Sequence, residues 1–315
     1  MKILCFTFIL SLSVASCEEV AHSSRFTVQM IDGEGNPISG VPLKTATFSH
    51  WESGEGFGTD VADVNDTISD LNGLAVINQP SKTGAFSIYA LPVKDYYGSS
   101  GCHYKFDKVV GGKWIPDNPT IPYVLKKKRN PIPLYAKNLT EGLLVPVLGQ
   151  RCGYDFKIGD WKAPHGKGEI ADIYFVVQVS EEPNGDFDSL IEVTFPNEKD
   201  GLIFFEQNRF KGSELVSDYL APMESYKPQK NLRRFSRGGR ITSEINKETG
   251  NYYLRLRTRV DEKGNIKSAN YAKLYGDFMY FTYYFNPTPN DRNLEFDPER
   301  NLFTDLKPNE RVSAP

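Results

Sequence analysis

The chain has 315 residues, 39% of them hydrophobic and 13% aromatic, enough to bury substantial cores. Its formal net charge of −3, with both signs mixed, supplies no global basic field and argues against nucleic acid as a partner. Seventeen tyrosines and 20 phenylalanines against four methionines, with 26 glycines and 20 prolines, favour pleated strands joined by many turns.

Met1 and Lys2 make a short basic start, and residues 3–12 form an apolar run too short to span a bilayer. Val14, Ala15, Ser16 and Cys17 follow. This layout resembles a bacterial lipoprotein signal, which implies removal of residues 1–16, acylation of Cys17 and a tether over 17–25. Glu18, rather than an aspartate, follows the cysteine; that resemblance implies the outer membrane of the cell envelope, with the lipid as the link to the membrane. A plain secretory signal cleaved after Ser16 is the alternative. Of the remaining cysteines, Cys102 and Cys152 are one pair in an oxidising compartment, open either to a disulfide or to two separate buried thiols.

Beyond the tether, residues 26–31 alternate as a strand, and the turn-forming run D-G-E-G-N-P occupies 32–37. An extended pattern resumes over 41–48, D-L-N-G turns the chain at 70–73, and short strands are expected at 74–77, 85–91, 104–110 and 121–125. Together 32–43 (D-G-E-G-N-P-I-S-G-V-P-L) and 70–77 (D-L-N-G-L-A-V-I) resemble the carboxypeptidase regulatory-like domain. That resemblance implies a transthyretin-like β-sandwich over 26–136, without catalytic residues of its own and interrupted by an insertion at 48–69 that carries Trp51. Four consecutive basic residues at 126–129 and a proline-spaced connector then lead to a second domain, 137–315.

The second domain also reads as strands: 170–179, 189–195, 202–205, 240–245, 252–260, 266–271 and the very aromatic 276–285. Short turns between them predict antiparallel pairing, so the whole is an all-β protein with two antiparallel β-sandwich domains in tandem. Residues 215–220 are the one candidate helix. Arg233, Arg234, Arg237 and Arg240 surround Gly238-Gly239 and read as a flexible charged loop. Parts of this domain look similar to uncharacterised secreted bacterial proteins, a likeness that carries no activity.

The loop at 153–168 is richest in chemistry. It gathers Asp155, Asp160, Trp161 and His165, with Asp172 just downstream. A carboxylate beside a histidine can orient its ring as a base, and Trp161 could stack on a sugar. A structural reading competes: aspartates and glycines set turns, Trp161 plugs the sandwich end, and His165 bonds to backbone. Arg255, Arg257 and Arg259 alternate with apolar residues, which on a regular strand puts all three on one face, suited to an anionic polysaccharide. Pairing with neighbouring acids is the plainer account of that row.

Other chemistries lack their motifs. The four histidines, His22, His50, His103 and His165, have no metal-ligand spacing, and no metal or cofactor is expected. Asp60, Asp63, Asn65 and Asp66, or Asp186 and Asp188, could offer oxygens to calcium, but neither set fits an EF-hand loop. No G-x-S-x-G elbow or phosphate loop occurs. The sequence therefore favours an exported, non-enzymatic binding or structural module, with glycans or envelope proteins as partners. The competing reading is a carbohydrate-active hydrolase centred on 153–172.

Overall fold

A computed structural model describes residues 20–48, 61–99, 101–139, 142, 144–207, 212–244 and 250–315. The expected signal, Cys17, His50, Trp51 and Asp60 lie outside the described residues. Nine strands come first: β1 (Arg25–Ile31), β2 (Pro42–Phe48), β3 (Val61–Ile68), β4 (Leu74–Asn78), β5 (Ala85–Ala90), β6 (Cys102–Lys105), β7 (Lys108–Val110), β8 (Lys113–Ile115) and β9 (Thr120–Val124). Eleven follow: β10 (Tyr135–Leu139), β11 (Cys152–Asp155), β12 (Asp160–Trp161), β13 (Ile173–Glu181), β14 (Phe187–Thr194), β15 (Gly201–Glu206), β16 (Gln229–Arg237), β17 (Arg240–Ser243), β18 (Gly250–Val260), β19 (Ile266–Gly276) and β20 (Phe281–Asn286). The protein is all-β, as its composition indicates.

Period-two burial builds the first sandwich. Phe26, Val28 and Met30 of β1 face Leu43 of β2 and Phe86 and Ile88 of β5 across one core. One sheet has the order β4-β1-β9 and the other β3-β2-β5-β6. Pairing is antiparallel except between β1 and β9, which run parallel. Gly73 closes the turn before β4 with φ +72°, and a Cβ there would meet the Met30 carbonyl oxygen at 2.4 Å. Only glycine fits both demands, which is the physical content of the D-L-N-G run.

A second core joins the sheet β10-β20-β19-β18-β15 to the sheet β12-β11-β13-β14-β16-β17. The boundary expected at Ala136 falls inside β10, where Tyr135 and Ala136 already pair with Phe285 and Tyr284. The outer face of the five-stranded sheet is also covered, by the segments around Val216, Ala221, Leu294 and Phe296. This explains why β18 and β19 are buried on both sides instead of alternating.

Three expectations are corrected. Residues 215–220 are not helical: Ser217 N donates to Tyr275 Oη and Asp218 N to Tyr253 Oη, so these backbone donors serve tertiary bonds. The arginine-rich loop is instead a hairpin, with Gly238 and Gly239 both at positive φ between β16 and β17. The aromatic run breaks at 277–280, where Phe278 (φ 65°) drops into the core before β20 begins. Of the two alternatives for Cys102 and Cys152, the structure shows the one without a disulfide between them, with Cys102 on β6 in the first sandwich and Cys152 on β11 in the second.

The two halves meet through carboxylate and lysine bonds. Buried Glu295 accepts from Tyr97 Oη and the amides of Arg129 and Asn130. Lys126 Nζ donates to the carbonyls of Val216 and Ser217, and Arg129 lies 4.0 Å from the Tyr219 ring centroid.

Candidate functional site

The loop at 153–172 closes one end of the second sandwich. Asp155 is 1% exposed and Asp172 is fully buried. Asp155 Oδ1 accepts from the amides of Lys157 and Ile158, and Oδ2 from those of Glu169 and Ile170. Asp172 Oδ2 accepts from Phe156 N. Neutral peptide donors do not balance two buried charges, and the cation comes from the opposite sheet.

That cation is Arg257. Its Nε donates to Asp172 Oδ1 at 2.6 Å, and its Nη2 to Asp172 Oδ2 at 2.8 Å and Asp155 Oδ1 at 2.9 Å. Burial raises the Asp172 carboxyl above its usual range, while the Arg257 bonds pull it back down. For Arg257 burial works against the charge, but the two aspartates more than offset it and raise its pKa.

A β-bulge makes this reach possible. The register between β18 and β19 shifts after Leu256, and Arg257 sits at φ 54° in the left-handed region. Such a residue costs about 1–3 kcal/mol and persists where surrounding contacts enforce it. Asp200 fixes the next residue, accepting from Thr258 N at 2.8 Å. The bulge disperses the expected arginine row. Buried Arg255 donates to the carbonyls of Lys199 and Met223 and stacks on Tyr226; Arg257 bridges the sheets; Arg259 points to solvent.

The remaining loop residues divide between structure and surface. Asp160 folds its own turn, accepting from Trp161 N and Lys167 N. Trp161 packs edge-on against Tyr154 and Phe175, at 5.4 and 5.8 Å, as a plug of the core rather than a free stacking platform. His165 is exposed and bonds through its backbone to Lys162 O. The structure thus brings Asp155, Asp172 and Arg257 together, and leaves His165 outside that cluster. No group of three or more metal-ligating side chains converges among the described residues.

Beside Arg257 opens a cleft of about 410 Å³, lined in part by Lys162, Glu169, Tyr174, Asn197 and Arg259. Sequence reasoning missed Lys162, Glu169, Tyr174 and Asn197, because their convergence depends on the bulge and on the 153–172 loop folding back. It also missed Lys273, which is fully buried beneath Ser217. Burial drives the Lys273 amine well below its ordinary pKa. On β19 it occupies an outward position between Ala272 and Leu274, which no local pattern marks as covered.

No protein-family model matches the chain, and no curated protein does. Among solved structures, the full-length major pilin SpaD from Corynebacterium diphtheriae is 9% identical, over 88% of this chain and 84% of the pilin, with a TM-score of 0.28. The shaft pilin spaA from Lactobacillus rhamnosus GG is 10% identical, over 79% and 92%, at 0.26. A DUF3823 family protein from Parabacteroides merdae is 8% identical, over 85% and 98%, at 0.21. None of these scores equates the folds, so no property of these proteins passes to this chain.

Proposed function

We propose that this protein is an exported, lipid-anchored, non-enzymatic module that recognises envelope components or glycans. The observation that carries the non-catalytic part is the state of Asp155. Its carboxylate already accepts four backbone amides and Arg257, and Asp172 is similarly engaged. A general base needs a free lone pair within reach of substrate and of a partner that orients it. Asp160 accepts from Trp161 N and Lys167 N, and the His165 side chain makes no bond to any of these aspartates, which counts against the 153–172 hydrolase reading.

Export rests on the sequence of residues 1–17, and the regulatory-like identity of the first sandwich on the two runs at 32–43 and 70–77. In this reading the amino-terminal sandwich spaces the second one from the membrane. The recognition surface is the cleft at the bulge. Incubating the mature protein with acidic and neutral polysaccharides tests the reading: retention on a polysaccharide column without shortening of the polymer supports it, and release of shorter products contradicts it.

A further inference from the structure

We propose that the cleft beside Arg257 holds an anionic sugar residue, with its carboxylate or sulfate ester gripped between Arg259 and Lys162. This names the ligand class for the binding reading above and rests on it.

Three cations line the cleft against the single carboxylate of Glu169. Arg257 is immobilised by Asp155 and Asp172, which use its Nε and Nη2 and leave Nη1 without a hydrogen-bond partner among the described residues. Those aspartates cancel much of its charge, so the attraction falls to Lys162 and Arg259. Both are exposed, and neither side chain makes a hydrogen bond or ion pair with the described residues. Two cations without such partners lining the same cleft as a fixed guanidinium give it the right sign for one anion, and a guanidinium fork matches a planar carboxylate.

The bulge is the second observation. A regular β18 would project Arg255, Arg257 and Arg259 in a line across one sheet face. The strained turn instead swings Arg257 toward Asp155 and Asp172, beside the cleft that Arg259 also lines, while Arg255, in regular register before the bulge, donates to the Lys199 and Met223 carbonyls. Bulges often re-aim side chains beside binding sites, and left-handed strain on a non-glycine residue is retained where it serves such a purpose. The cleft volume of about 410 Å³ lies within the range of small-ligand sites and exceeds what a lone inorganic anion fills. Tyr174 and Asn197 also line the cleft, held in place by Arg151 over the Tyr174 ring at 3.8 Å and by the bond from Asn197 Nδ2 to Asp200 Oδ2.

Calorimetric titration of the full mature chain tests this with four probes: a digalacturonate, the matching neutral galactose disaccharide, that galactose disaccharide bearing a sulfate ester and no carboxylate, and sodium sulfate. The wild type binds one or both acidic disaccharides at least tenfold more tightly than the neutral one, with affinity falling as salt rises. The variant Lys162→Gln/Arg259→Gln, altered only at exposed positions, loses at least tenfold in affinity with an unchanged melting curve. Preference for digalacturonate or for the sulfated sugar tells carboxylate from sulfate ester. Equal binding of the neutral sugar, indifference to the double substitution, sulfate binding as tightly as the sugars, or no binding by any probe each overturns the cleft assignment. Tight acidic binding accompanied by cleavage supports the cleft but defeats the non-enzymatic reading.

Discussion

Replacing Arg257 with glycine separates two opposing effects at the bulge. The substitution removes three charge-assisted bonds and leaves two carboxylates buried without a cation. Breaking a buried ion pair from one side costs about 3–5 kcal/mol. Glycine relieves the strain of about 1–3 kcal/mol at φ 54° but loses about 0.5–1 kcal/mol more in chain entropy, a net return of about 1 kcal/mol. The net loss is therefore about 2–4 kcal/mol. At a few degrees per kcal/mol for a unit of this size, Tm falls by roughly 5–15 °C. Urea unfolding of wild type, Arg257→Gly and the control Arg259→Gln at pH 7 measures it, with the control within about 0.5 kcal/mol of wild type. A second signature is acid rescue. Without Arg257 the folded-state pKa of Asp172 rises further above its unfolded value, so the folded variant binds more protons than the unfolded chain. The deficit then shrinks as pH falls through that raised pKa. An Arg257→Gly protein as stable as wild type, or one whose deficit grows in acid, would refute the bridging role.

Other outcomes follow from buried groups elsewhere. Because Lys273 has a lowered folded-state pKa, the unfolded chain binds more protons between that value and about 10.5, so stability rises with pH across the window, by at most about 1.4 kcal/mol per pH unit. Lys273→Met flattens that slope in chemical unfolding at stepped pH, and an unchanged slope rejects the assignment. Glu295→Ala strands a tyrosine hydroxyl and two amides, costs about 2–4 kcal/mol, and speeds tryptic cleavage within 126–129; an unaltered digestion rate speaks against Glu295 as the tie between the halves. Asp160→Ala costs about 1–2 kcal/mol while His165→Ala stays within about 0.5 kcal/mol, readable as paired melting curves. The denatured protein titrates with thiol reagent at both Cys102 and Cys152 without prior reduction; a reagent-resistant pair that reacts only after reduction contradicts the absence of a disulfide between them.

The elements easiest to read from sequence were those with one buried face. β4 of the first sandwich alternates cleanly, β1 and β2 do so over part of their length, and the turns between them carry the glycines that their dihedrals require. β16 was harder, because Arg233 and Arg237 pair with Asp188 on the exposed face, and a strand studded with cations looks like a loop. The stretch at 212–226 defeats local reading for a different reason: its backbone donors are taken by tyrosine hydroxyls far away in sequence. At the candidate site, Asp155, Asp172 and Arg257 all stand out by residue type. Their union depends on one inserted residue in β18, which shifts register without leaving a compositional mark. The same shift separates Arg257 from Arg255, which stays in regular register and bonds to the Lys199 and Met223 carbonyls, a distinction that period-two reasoning cannot draw.

Intact-mass measurement of the protein recovered from the membranes of its native cells bears most directly on the account, since recognition at an envelope surface presupposes arrival there. The predicted product begins at Cys17, carries the added mass of acyl chains and contains no disulfide. A soluble cytosolic product that retains residues 1–16 would contradict it.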